Sequence, residues 1–168
     1  MIELMAVLVI IAVLALLIIG TFEQIRRRSE RAYCTQNLRN LYTGLASYTT
    51  QYGHWPQCPH KLGSSEYDQW WMDELARVGI NEKTWQCPTL TRENQAQLVK
   101  QDHVDLSKKK KKELQYMPTN FDEKPSTPYK WPTQPWLIEV YGGHGNGALM
   151  IFPDGSVAAF NEFLRRGR

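Results

Sequence analysis

Residues 2–52 read IELMAVLVIIAVLALLIIGTFEQIRRRSERAYCTQNLRNLYTGLASYTTQY; they contain no proline, and their glycines stand only at positions 20 and 44. With no strong breaker inside it, the stretch predicts one helix from about residue 2 to 52, roughly 75 Å long at ~1.5 Å per residue. Its two halves differ in character. Residues 4–19 carry no polar side chain, and Glu3 is the only charged residue among the first twenty. With Gly20, Thr21 and Phe22 the run rises roughly 28 Å, close to the ~30 Å hydrocarbon core of a bilayer. A buried core helix of this composition needs apolar neighbours on every side, more than a domain of about 115 to 150 residues supplies. Residues 1–22 are therefore expected to span a membrane.

The span does not read as a cleaved signal peptide, because it lacks a basic stretch before it and a small-residue cleavage site after it. Arg26, Arg27, Arg28 and Arg31 follow the apolar run and nothing basic precedes it. The positive-inside rule alone would then put the bulk of the chain in the cytoplasm. Beyond the arginines, Cys34, Leu38, Leu41, Leu45, Tyr48 and Tyr52 recur at alternating steps of four and three. That spacing makes one apolar face over residues 23–52, a seam against a globular head formed by residues 53–168. Gly53 and Pro56 should end the helix.

The head reads as a small mixed domain. Ser65 and Asp68 have capping-box spacing at the start of EYDQWWMDELARVG, where Tyr67, Trp70, Trp71, Leu75 and Val78 recur at helical intervals and Gly79 offers a stop. From Asn81 to about Pro135 the chain is polar and dotted with proline, and Lys108 to Lys112 form a run that is expected to be exposed. PWLIEVY, GALMIF and SVAAF are β-type runs; PDG joins the last two, with Gly155 suited to the left-handed position of a bulged hairpin. The expected fold class is α+β: a long N-terminal helix packed on a small antiparallel β-meander head with a second short helix.

These features assemble into a resemblance. The Ile-Glu-Leu entry into a pure apolar run, followed by a long amphipathic helix, resembles the N-terminus of type IV pilins and type II secretion pseudopilins. RAYCTQNLRNLYTGLASYTTQYGHWP, then WQCP, LQYMPTN, and His144 placed nine residues before Asp154-Gly155, resembles the pilin-like family that carries the H-X9-DG signature. The resemblance covers most of the chain outside residues 57–83 and 90–113. It implies an inner-membrane anchor, a head in the bacterial periplasm, and polymerisation through the first helix into a type II secretion or pilus-like filament. The implied partners are copies of the chain, related pseudopilins, the secretion platform and the lipid bilayer.

Family precursors begin with a basic leader, cut by a prepilin peptidase before a residue that is then N-methylated and stands four before the position matched by Glu3. Here Met1 stands two residues before Glu3. The expectation is a leader upstream of Met1, which would place basic residues on the cytoplasmic side; a copy that has lost its processing signal is the alternative. In the family, Glu3 would pair with the free amino terminus of the adjacent subunit as it docks. The plainer reading is that Glu3 reaches interfacial water.

Little in the sequence points to catalysis. There is no phosphate loop or nucleophile elbow, so no catalytic residue and no cofactor are assigned and the chain is not expected to be an enzyme. A net charge of +3 is too weak to argue for nucleic acid. An extended strand over 147–152 would hold His144 and Asp154 roughly 20 Å apart at ~3.3 Å per residue, so the pair cannot share a proton or a metal within one chain. Asp154 reads as a turn residue, and His144 as part of the glycine-rich loop GGHGNG, with a subunit contact open to both. Cys58 and Cys87, each followed by proline, are candidates for a disulfide in an oxidising periplasm. Free thiols are the next reading. The third is a structural metal ion on His54, Cys58 and His60 with Cys87 as fourth ligand. Cys34, in the apolar seam, reads as a packed thiol. The rival to a filament subunit is a signal-anchored periplasmic binding or metal-dependent module that never polymerises.

Overall fold

The computed structural model describes residues 2–91, 113–141 and 147–166; within the first 23, it describes side chains at Met5, Val7, Ile10, Ile11, Val13 and Phe22. The fold is α+β, with a long N-terminal helix and, among the described residues, a four-stranded antiparallel sheet. Helix α1 (Ile2–Tyr52) is continuous. It stops at Gly53, whose N–H donates to the Thr49 carbonyl at 3.0 Å. Of the predicted seam, Cys34, Leu38, Leu41 and Leu45 are fully buried and Tyr48 nearly so. Tyr52 lies past the edge of the core, 39% exposed, with its ring 4.5 Å from that of Tyr48. Gly44 costs the helix about 1 kcal/mol relative to alanine. Close approach explains it: a Cβ there would lie 2.5 Å from Cγ1 of Ile80.

Toward its N-terminus α1 stands clear of the head. Met5, Val7, Ile10, Ile11, Val13, Phe22 and Ile25 are all more than half exposed. Among the described residues no helix is long and apolar enough to cross a membrane. Most side chains of the run 4–19 lie outside the described residues, and so, largely, does the expected span.

Helix α2 (Ser65–Ala76) forms where the periodicity predicts it, but the cap is one residue earlier than the capping-box spacing suggests. Ser64 is extended, and its hydroxyl accepts the Tyr67 N–H at 3.1 Å, so Ser64 rather than Ser65 satisfies the orphan donor. At the other end the Ile80 N–H reaches back to the Leu75 carbonyl. The helix buries Tyr67, Trp71, Met72 and Leu75. It also presents Glu74 to the Tyr48 hydroxyl, which donates at 2.7 Å.

The polar stretch that follows contributes to the core. A 3-10 turn (Glu82–Trp85), capped by the Asn81 side chain, buries Trp85, and a helical turn begins at Pro88. Strand β1 (Tyr116–Pro118) was not evident from the sequence; β2 (Leu137–Glu139), β3 (Leu149–Ile151) and β4 (Val157–Ala159) fall within the three runs read as strands. The order is β1-β2-β3-β4, with Pro118 opposite Leu137, Leu137 opposite Ile151, and Leu149 opposite Ala159. A proline inside a three-residue run hides β1 from a reading by strand pattern, and the proline is tolerated because β1 is an edge strand. A short helix α3 (Thr127–Lys130) precedes β2, and α4 (Phe160–Arg166) continues directly from β4. The lysine run 108–112 lies outside the described residues.

Aromatic side chains bind these pieces together. Trp55, Trp71, Trp85 and Trp136 are all fully buried. Trp136 packs its ring 4.7 Å from Tyr42 of α1, 5.1 Å from Trp55 and 5.0 Å from Tyr129, while its indole N–H donates to the Pro128 carbonyl at 3.0 Å.

Candidate functional site

The residues with chemical potential gather where α1 leaves the head. Glu30, Cys34 and Asn37 follow one another at steps of four and three, and so share one face of the helix. The segment 86–89 runs along that face in the opposite direction. Asn37 Nδ2 donates to the Gln86 carbonyl at 2.9 Å, the Cys34 and Cys87 sulfurs meet at 2.9 Å, and the Thr89 hydroxyl donates to Glu30 Oε2 at 3.0 Å. Gln115, just before β1, accepts the Cys87 N–H through its side-chain oxygen. A further tie at this neck is the Arg31–Glu162 ion pair at 3.1 Å, which brings α4 onto the same part of α1.

Glu139 completes the cluster from the sheet. It is 1% exposed, and its Oε2 accepts the Leu149 N–H at 3.2 Å. Cys34, Cys87 and Glu139 place their ligand atoms within 4.8 Å of one another, the one such group of three or more among the described residues. The S–H shared with Cys87 and then burial push the Cys34 thiol far above its ordinary range, and Glu139 adds to the shift. The Cys34 thiol is therefore protonated and poorly nucleophilic in the folded chain.

The expected cysteine chemistry is corrected accordingly. The sulfur facing Cys87 is that of Cys34, not Cys58, and the structure shows all three cysteines in the reduced, unlinked form. Nor are His54, Cys58 and His60 brought together as a metal site with Cys87. His54 Nδ1 lies 3.0 Å from the Trp55 carbonyl, Cys58 lies against the His60 carbonyl, and His60 lines a shallow groove with Glu66, Gln69, Trp70 and Asp73. The proline after Cys87 starts a helical turn, and that turn aims the preceding sulfur at α1.

The described part of the signature motif behaves as a turn. Gly155 has φ 76° and its N–H donates to the Phe152 carbonyl at 2.9 Å, closing the bulged hairpin between β3 and β4. Asp154 Oδ1 accepts the Ser156 N–H at 2.9 Å; bonds from Ser156 hold its carboxyl below the usual range. The Tyr42 hydroxyl donates to the Pro153 carbonyl at 2.8 Å and so docks this turn onto α1. A Cβ on Gly155 would lie 3.5 Å from the Tyr42 ring, so the left-handed backbone, rather than space, demands glycine. His144 and the side chain of Glu3 lie outside the described residues.

Comparison of the chain with family models, with curated proteins and with solved structures found no match. The sequence did contain signals for the neck. Alternation in WLIEV puts Leu137 and Glu139 on one strand face, and positions 30, 34 and 37 share a helix face; what it lacked was the pairing of Cys34 with a residue 53 positions away.

Tyr116, buried beside the cluster, and Tyr48, bonded to Glu74, give the head an alkaline limit. Burial first pushes both phenols above their ordinary range; Cys34 adds to the shift at Tyr116, and Glu74 at Tyr48. A folded-state pKa above the unfolded value favours the native state fully below pH about 10 and progressively less above it, as the unfolded tyrosines ionise first. Thermal melts of the reduced chain are expected to begin falling near pH about 8.5, where the unfolded Cys34 thiol ionises, and to steepen above pH about 10, with a shallower fall in that upper range in Tyr116→Phe.

Proposed function

We propose that the chain is a structural, pilin-like subunit of the pseudopilin type, anchored in the bacterial inner membrane with its head in the periplasm. It polymerises through α1 into a type II secretion or type IV pilus-like filament, alongside copies of itself and related pseudopilins and on an inner-membrane platform. The observation that carries this reading is the two-part helix. One half of α1 is sealed into the head core, while described apolar residues from Met5 to Ile25 stand exposed in the isolated chain. An exposed apolar surface of that extent calls for a lipid or protein environment, and a filament core of packed helices supplies one after the bilayer has been left. The residue chemistry fits a structural role, because the buried cluster at the neck is closed to substrate. A prepilin peptidase would act on an upstream leader, and Glu3 would pair with the amino terminus of the neighbouring subunit.

Glu3→Ala tests the proposal. Removing one partner of an ion pair held in an apolar setting is expected to reduce filament yield on the order of tenfold or more, since each ~1.4 kcal/mol is a factor of ten. Membrane fractionation should show the variant inserted as well as the wild type. Normal assembly of Glu3→Ala, or an absence of oligomers cross-linked through α1 in the wild type, would favour the non-polymerising anchored module instead.

A further inference from the structure

We propose that Cys34 and Cys87 form an intramolecular disulfide that staples the long helix to the head at the point where the helix emerges. At 2.9 Å the two sulfurs stand well inside the roughly 3.5–4.0 Å kept by unbonded heavy atoms and less than 1 Å beyond a covalent S–S bond of about 2.05 Å. Their approach is held in register from both sides. Asn37 with Gln86 and Thr89 with Glu30 bracket the pair one helical step away in each direction, and Gln115 fixes the Cys87 backbone. A chance encounter of two packed thiols would need no such bracketing.

The same distance argues against a metal as occupant. Two thiolates on a tetrahedral zinc, each at about 2.3 Å, stand roughly 3.7 Å apart, so these sulfurs would have to separate by most of an ångström inside a closed core. Glu139 has a neighbour of its own in the Leu149 N–H.

The step is a thiol–disulfide exchange with a disulfide reagent of an oxidising compartment. One protein thiolate attacks a sulfur of the reagent R–S–S–R, giving a mixed disulfide and releasing one R–S⁻. The second protein thiolate then attacks the protein sulfur of that mixed disulfide and expels the other R–S⁻. The two thiol protons end on the two R–SH products, and two electrons pass from the cysteines to the reagent. Cys34 and Cys87 are buried at 0% and 1% exposure, so the exchange takes place while the chain folds, before segment 86–89 closes on α1. Once closed, the bond is shielded from reductants.

Position gives the staple its use. Cys34 is the first residue of the buried seam, and Tyr33 and Ile25 on its N-terminal side are exposed, so a pull along the emerging half of α1 would open the head from this end. A covalent tie here stops that opening at the first fully buried contact, just behind the polar ties of Glu30 to Thr89 and Arg31 to Glu162. This mechanical role rests on the filament reading; the cross-link itself does not.

The test is oxidative refolding of the full chain in a glutathione redox buffer, followed by thiol counting with a chromogenic disulfide in denaturant. One reactive thiol per chain, that of Cys58, is expected after oxidation and three after reduction, with a mass loss of about 2 Da for the two hydrogens and a peptide map that joins Cys34 to Cys87. Cys58→Ser should leave none, whereas Cys34→Ala should leave both remaining thiols reactive. Closing a loop of this length should raise the melting temperature of the oxidised form by roughly 10 °C over the reduced one. Three thiols after oxidation, a link through Cys58, stoichiometric zinc that protects the thiols, or a cross-link with no gain in melting temperature would each overturn the staple. A chain that cross-links but does not assemble counts against the filament alone; one that assembles with three free thiols counts against the staple alone.

Discussion

Trp136→Ala is expected to destabilise the head by about 4 kcal/mol, enough to remove most of the stability of a domain this size. Trp136 is fully buried and joins three parts of the chain: its ring contacts Tyr42 of α1 and Trp55 after α1, and its N–H satisfies the Pro128 carbonyl. Its own backbone N–H also donates to Ile151 at 2.8 Å, ahead of the β2–β3 ladder. Truncation opens a cavity into which two of the surrounding rings cannot collapse, because Tyr42 is held by the Pro153 carbonyl and Trp55 by the Thr119 carbonyl. Denaturant titration of the full chain should show a large drop in midpoint with the slope retained. Trp131→Ala, at a position 60% exposed, should stay within about 0.5 kcal/mol of wild type. A loss below about 1 kcal/mol for Trp136→Ala would mean that the aromatic cluster is not the keystone described here.

The second large effect is expected at Leu41, in the middle of the buried seam. Leu41→Asp replaces a fully buried apolar side chain with a carboxylate that has no designed partner, at a cost of more than about 4 kcal/mol from lost transfer energy and charge desolvation. The helix itself should survive, since the cost falls on the interface between α1 and the head. Limited proteolysis should then cut the head rapidly, and hydrogen exchange should lose protection in the head strands 137–139 and 149–151. Asn40→Asp supplies the control. It adds the same charge one residue away on the exposed side of α1, keeps the acceptor that Gln36 uses, and should change stability by less than about 0.5 kcal/mol. Equal sensitivity at the two positions would contradict the one-sided seam.

The contrast between Leu41 and Asn40 also marks where sequence reading is strong. Apolar periodicity is a local property, repeated every turn, so α1, its buried face and its stop at Gly53 were legible without coordinates. The PDG hairpin was legible for the same reason, because turn chemistry is fixed by the backbone conformation of three consecutive residues. Strand β1 was not, since three residues that include a proline carry almost no pattern and become a strand only by pairing with β2. The Ser64 cap shows the resolution of such reading. Two adjacent serines offer the same chemistry, and the extended backbone at the first of them decides.

The neck lies beyond that limit for a physical reason. The proline repeated after Cys58 and Cys87 suggested those two as a pair, with free thiols and a metal as alternatives, whereas the sulfur that faces Cys87 is that of Cys34. Choosing between Cys34 and Cys58 depends on which way segment 86–89 runs along α1, and that direction is set by the burial of Trp85, Leu90 and Tyr116 around it. The sequence by itself determined a long two-part helix, a short second helix and an α+β head, because each follows from interactions within a few residues. Only the tertiary structure decided that Cys34, Cys87 and Glu139 meet, because contacts between residues so far apart in the chain are fixed by how the whole core packs.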